Sequence, residues 1–385
     1  MTRTIFRGGD VVLPDRLAER HSLIVEAGRV VEIVAGASAG AAGDRIVDVS
    51  DCFVVPGLVD VHVHGMAGHD VLDGAGAVER VSRILPRFGV TAFCPTSVAC
   101  SAASLEALLA EVGRLRTAGG PRARVIGAHV ESSFINEEFC GAQPAEWLRT
   151  PAEGSDVLAA IRHHREAVAI VTLAPEIEGG QELVGQLVRE GMHVSLGHSG
   201  ATWEQAQAAF KSGVARVTHL FNRMRPMAHR EPGLVGAALA DEAVVVELIG
   251  DGQHIHPAIM RTVWAAKGAA RVAAVTDGTA GSGLPRGSIA GLGGKPVRVD
   301  DMACLDDGTI AGSVATMDQI LSRWVKEVRV GIVDAVVMCA TTPAADVRRS
   351  DLGRLVPGAQ ADCVVLDRQI RVRETWIAGA CVYQK

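Results

Sequence analysis

Residues 56–65, PGLVDVHVHG, decide how this chain folds. A Pro-Gly pair breaks what precedes, an apolar β-type run follows, and the run closes on His62 and His64. In an extended strand residues i and i+2 point the same way, so these two imidazoles can reach one metal ion together; a spacing of one or three would not allow that. The texture repeats. From residue 56 to about 346, short apolar runs are each followed by a helical pattern, as in successive βα units around a parallel sheet. Eight candidate strands stand at 57–63, 90–95, 124–130, 169–174, 193–197, 216–220, 244–249 and 271–276. Number and spacing predict an α/β fold, a (β/α)₈ barrel of TIM type. Amphipathic stretches such as 104–116 and 202–211, the latter with Thr202 as N-cap, form the outer ring.

Outside the barrel the chain is β-rich. Short strands are expected at 4–6, 11–13, 22–26, 29–34 and 45–48, with Gly8-Gly9 and residues 38–40 as punctuation. Strand texture returns in CVVLD and WIAGACVY near the end. The expected organisation is a small β-sandwich domain from 1–55 and 347–385 beside a barrel at 56–346. The Gly-rich stretch 283–309 reads as an inserted hairpin ahead of a helix at 313–328.

Composition narrows the function. A net charge of −6, no basic run and a single tyrosine leave no electrostatic footprint for nucleic acid, so the expected partner is a small molecule. Apolar residues make up 48% of the 385, yet no run approaches the ~20 needed to cross a bilayer, so no membrane association is expected. The first residues lack an apolar stretch followed by a small-residue cleavage site, and a cytoplasmic enzyme is expected. The eight cysteines contain no CxxC pair and read as reduced, buried small hydrophobes.

A barrel enzyme builds its site at the C-terminal ends of its strands. Here the first ends in His62-Val63-His64, the third in His129-Val130-Glu131, the fifth in Gly197-His198-Ser199, the sixth in Thr218-His219 and the eighth in Thr276-Asp277-Gly278. A lone strand histidine more often fills a core or surface place than ligates. Five such ends in the order HxH, E, H, H, D read as a metal centre, and imidazole with carboxylate suits Zn²⁺, Fe²⁺ or Mn²⁺. His21, His69, His163 and His164 lie on polar helical or loop stretches and receive no role.

The ordering resembles the amidohydrolase superfamily, and more closely the N-acetylglucosamine-6-phosphate deacetylases. The stretches that carry the resemblance are PGLVDVHVHG (56–65), GAHVES (127–132), SLGHSGAT (195–202), THLFNRM (218–224), HREPGLVGAAL (229–239), GDGQHIHP (250–257), VTDGTAG (275–281), GSVATMD (312–318) and GRLVPGAQADCVVLD (353–367). THLFN followed by HREPG is specific to the deacetylase branch. Dihydropyrimidinase-like relatives need a lysine where this chain has Glu131, and deaminase relatives lack the HREPG segment.

The resemblance implies that Glu131, His198 and His219 hold the principal divalent ion, Zn²⁺ first. His62 and His64 would complete that site or hold a second ion. Asp277 matches the catalytic aspartate, which takes a proton from the attacking water and returns it to the leaving amine. His254 matches a histidine that contacts the substrate near its acyl carbonyl; His256 is either a second contact or structural. Asn222 and Arg230 match residues that recognise the phosphate of a phosphorylated N-acyl amino sugar, for which a planar guanidinium fork is well shaped. That arginine can reach a neighbouring subunit's site, which implies a homodimer. The chain departs from the pattern in three places: Ser132-Ser133-Phe134 replaces Gly-Pro-Phe, Gln143 replaces the substrate-contacting histidine of GAH, and Arg223 replaces a small residue beside the phosphate position. The alternative is therefore deacylation of a different N-acyl amino sugar or biosynthetic intermediate. A barrel that merely binds a sugar has no need of Asp277 together with every ligand.

Overall fold

The computed structural model describes residues 3–385. Its barrel strands are Leu58–Val63, Val90–Ser97, a third in two pieces (Arg124–Val125 and Ala128–Glu131), Val168–Leu173, Val194–Leu196, Arg216–Val217, Val245–Ile249 and Val272–Val275. All pair in parallel, in chain order. Nearly every residue in them is buried, because helices cover the outside and packed side chains fill the inside. The last strand meets the first at the level of the site. Asp277 N–H donates to the His62 carbonyl at 3.0 Å, His64 N–H to the Gly278 carbonyl at 2.8 Å, and Thr276 Oγ1 to buried Asp60 at 2.6 Å. The eight-stranded barrel expected from the sequence is thus the fold observed.

The fifth and sixth strands are shorter than their apolar runs suggest. His198 and His219 have φ of 47° and 28°, so the backbone leaves the strand at the residue that carries the imidazole. Thr202 caps Trp203–Lys211 as expected, in a reciprocal capping box with Gln205.

Both ends of the chain share one eight-stranded sheet of Thr4–Val12, Leu17–Glu26, Arg29–Ala35, Arg45–Asp48, Phe53–Pro56, Cys363–Leu366, Val372–Ile377 and Ala380–Gln384. It has a core of its own, centred on Phe6 and Trp376, whose rings meet edge to face at 4.9 Å. Gly8-Gly9 does not separate two strands as its composition suggests. It makes a bulge within Thr4–Val12, where a Cβ on Gly9 would approach the Val49 carbonyl to 2.9 Å. The 283–309 stretch is likewise more than a hairpin. Residues 289–312 form four short antiparallel strands, Ile289–Leu292, Lys295–Val299, Ala303–Cys304 and Ile310–Gly312, since Gly293-Gly294, Asp300-Asp301 and Gly308 each turn the chain. The following helix starts later than the apolar pattern suggests, at Met317, behind the Thr316 cap. No helix among the described residues is long and apolar enough to cross a membrane.

Candidate active site

The five strand ends converge. Glu131 Oε1 lies 3.0 Å from His198 Nε2 and 2.9 Å from His219 Nε2, and these two nitrogens are 3.1 Å apart. On the other side His62 Nε2 and His64 Nε2 are 3.2 Å apart, and Asp277 Oδ1 lies 3.3 and 3.2 Å from them. Glu131 joins the groups at 3.7 Å from His62 and 3.6 Å from His64. These side chains are buried except Asp277, which is partly open to the cavity above.

The hydrogen bonds behind the site show what it can hold. His62 Nδ1 faces Glu247 Oε2 at 2.9 Å, His64 Nδ1 the Thr96 carbonyl at 3.0 Å, and His198 Nδ1 the Phe139 carbonyl at 2.8 Å. Each acceptor calls for a proton on Nδ1 and leaves Nε2 with a lone pair. The lone pairs of His62 Nε2 and His64 Nε2, facing one another at 3.2 Å, repel unless a cation lies among them. The field agrees. Burial opposes charge on His62, but Glu247, Asp277 and Glu131 outweigh it and push its pKa up to about 10. Glu131 stays ionised despite the cost of burial because His198 and His62 hold its pKa well below the usual range. A pocket that attracts a proton this strongly also attracts a divalent ion, and the donor set fits one. The two overlapping groups, His62–His64–Glu131 and Glu131–His198–His219, share Glu131. A third cluster, His62–His129–Glu247, differs. Both His129 nitrogens are engaged, by the Val61 carbonyl and Thr172 Oγ1, and burial, then nearby His62, lowers its pKa to about 3. His129 is a neutral core residue.

Above the ligands opens a cavity of about 550 Å³, large enough for a sugar phosphate, with Asp277, His254, Asn222, Arg223 and Gln143 on its walls. A profile of the amidohydrolase family matches residues 53–382.

The chain belongs to the amidohydrolase family.

It is 34% identical over 327 residues to an N-acetylgalactosamine-6-phosphate deacetylase of Escherichia coli O157:H7, covering 84% of this chain and 86% of that one. It is 36% identical over 356 residues to an N-acetylglucosamine-6-phosphate deacetylase of Danio rerio, with 89% and 87% covered. The N-acetyl-D-glucosamine-6-phosphate deacetylase of Mycobacterium smegmatis, solved in complex with N-acetyl-D-glucosamine-6-phosphate, superposes with a TM-score of 0.91 at 31% identity over all of both chains. Within the amidohydrolases this chain therefore groups with the N-acetylhexosamine-6-phosphate deacetylases. The family is metal-dependent and hydrolyses carbon–nitrogen bonds, as the sequence reading expected.

The other site candidates of this amidohydrolase are placed unevenly. His254 is buried on the cavity wall, its Nδ1 2.6 Å from Asp251 Oδ2; burial opposes its charge, but this bond raises its pKa. Asn222 lines the cavity and donates to the His219 carbonyl at 3.2 Å. Arg223, at φ 51°, lies over Gly141, where a Cβ would come within 2.5 Å of its Nε. Arg230 is exposed and does not line its own chain's cavity. Gln143 reaches the cavity, but its amide is bound to Glu131 and to Ala99 N–H. His256 is structural: its ring caps Pro257–Lys267 by accepting from Ala258 N–H at 3.1 Å. Ser132 compensates for the missing Gly-Pro by donating to the Thr172 carbonyl at 2.6 Å and accepting from Phe134 N–H.

Sequence reasoning missed the residues behind the ligands, chiefly Glu247, Arg216, Asp346 and Asp251. Glu247 and Arg216 each interrupt an apolar strand run, VVVELI and ARVTHL, and a charge at such a place signals a buried pair.

Proposed function

We propose that this chain removes the acetyl group from an N-acetylhexosamine 6-phosphate, N-acetylglucosamine 6-phosphate first, giving the amino sugar phosphate and acetate. The observation that carries this reading is the convergence of Glu131, His198, His219, His62, His64 and Asp277 on the floor of one sugar-sized cavity. The relatives' activities support it. A bound divalent ion, Zn²⁺ by preference with Fe²⁺ or Mn²⁺ accommodated by the same donors, supplies Lewis acidity towards the acetamide carbonyl and acidifies water. Asp277 accepts the proton of the attacking water and passes it to the departing amine. Its carboxylate is kept ionised against burial by His62 and His64, as a base must be. His254, oriented through Nδ1 by Asp251, presents its other nitrogen as a donor to the acyl oxygen.

Arg223 and Asn222 bind the phosphate. Arg223 lines the cavity, where its guanidinium fork can meet an anion. Arg230, exposed at the tip of the 226–231 loop, reaches the site of a second subunit in a homodimer. A phosphorylated sugar substrate supports a cytoplasmic location. The relative acting on the galacto epimer, together with Gln143 being engaged by Glu131, favours a second reading, in which a different N-acetylated amino sugar is preferred.

The test is acetate release from N-acetylglucosamine 6-phosphate, N-acetylgalactosamine 6-phosphate and unphosphorylated N-acetylglucosamine by protein loaded with Zn²⁺, Mn²⁺ or Fe²⁺. Fast turnover confined to phosphorylated sugars is expected, and release from none of them would overturn the reading. Arg223→Ala should raise KM for the phosphorylated sugar by about tenfold or more while leaving kcat nearly unchanged.

A further inference from the structure

The side chain of Gln143 is tied at both ends. Its Oε1 accepts from Ala99 N–H at 2.7 Å, which settles which end of the amide is nitrogen, and its Nε2 donates to Glu131 Oε2 at 2.5 Å. Both bonds are buried, and the turn that delivers Gln143 uses Gly141 at φ 65°. The residue expected to touch substrate is therefore committed to a metal ligand.

That commitment is asymmetric. Glu131 Oε1 carries no bond from Gln143 and lies within 3.0 Å of both His198 Nε2 and His219 Nε2. Oε2, the oxygen that lies 3.6 Å from His64, is the one that receives the amide proton. A donated hydrogen bond occupies a lone pair and lowers the oxygen's donor strength towards a cation. Of the two strand-one histidines His64 thus meets the weakened oxygen, while the unencumbered Oε1 lies closest to His198 and His219 and farther, at 3.7 Å, from His62.

We propose that Gln143 is a positioning residue that commits Glu131 to the His198–His219 group, so that one divalent ion binds tightly there and a second binds more weakly at His62, His64 and Asp277. The inference rests on the metal-centre reading alone and is independent of which sugar is hydrolysed.

The experiment compares the wild type with Gln143→Met, which keeps length and volume while removing the donor, and with Gln143→Glu, which keeps the shape and the Ala99 bond while replacing the donor by an acceptor. Each protein is equilibrated with chelator-buffered Zn²⁺, and bound zinc is measured by elemental analysis. Visible absorption of Co²⁺-loaded samples reports the coordination of each site. The wild type is expected to bind in two separated steps, and both variants to tighten the second step by about tenfold or more. Two equal tight sites in the wild type would overturn the proposal, as would unchanged second-step affinity in variants whose circular dichroism and melting show them folded. If Gln143→Met does not fold, the comparison with Gln143→Glu decides. A wild type that binds no divalent ion overturns the metal centre and the proposal together, whereas failure of every sugar substrate touches neither.

Discussion

Asp277 stands where the barrel closes, its backbone at φ 49° and its Oδ1 within 3.3 Å of both His62 and His64. A non-glycine residue holds that conformation only where its surroundings over-determine it. Here the bonds to His62 and Ser313 on either side do so. Asp277→Asn should keep the ion at Glu131, His198 and His219 yet lose turnover by about a thousandfold or more, since the amide cannot take a proton. Acetate release alongside metal content checks this; a near-normal rate would remove Asp277 from its role. His254 predicts a pH signature. Its folded pKa lies above the ordinary 6.5, so the protonated pair with Asp251 stabilises the fold fully below pH 6.5, and that contribution is lost as pH rises through the raised value. Asp251 behaves oppositely. Its carboxyl is held below the ordinary 3.8, so its contribution is present above 3.8 and is lost as pH falls through the lowered value. Denaturant midpoints of the wild type and His254→Gln should therefore differ most between these limits, by about 1–3 kcal/mol, and converge in alkali. A gap that does not change with pH would count against the pairing.

Strands and helices position the site through their ends. His62 and His64 use the two-residue period of a strand, whereas His198 and His219 need the backbone to turn out of the strand before their rings can face Glu131. The helix after His198 starts at once: Thr202 caps it only four residues on. Thr202→Ala removes the hydroxyl that accepts Gln205 N–H and should lower stability by about 1 kcal/mol while leaving zinc content unchanged, as thermal melts and elemental analysis would show. The four-stranded insertion contributes Leu292, Ile310, Ala311 and Gly312 to the cavity wall. Its glycines also signal turns to a reader of the sequence, but not how many strands those turns join.

The whole molecule is organised around a buried chain of charge. Arg216, fully enclosed by the barrel, pairs with Glu247 and with Asp346; Glu247 in turn holds His62 and accepts from His219 N–H. Asp346 comes from the chain's last helix and also meets His193, so residues distant in sequence support one candidate metal ligand, His62. Arg216→Met keeps the bulk but leaves two buried carboxylates without their partner. Such a loss typically costs about 3–5 kcal/mol. A large fall in the denaturant midpoint with weakened zinc binding is expected; a shift under 1 kcal/mol would show that the network is dispensable. The terminal sheet joins the barrel partly through Arg124 and Asp362, paired at 2.8 Å.

The local periods of the sequence determined the eight strands, their order, and the candidate ligands at their ends, because a barrel puts every strand's C-terminal end on one face and HxH encodes its own geometry. Only the tertiary structure decided what lies behind the ligands. Glu247, Arg216 and Asp346 meet through closure of the barrel, and nothing near them in sequence states their partners. Gln143 shows the same limit. The residue type permits contact with substrate or with a ligand, and only the approach of Ala99 and Glu131 in space, 44 and 12 residues away, selected the ligand.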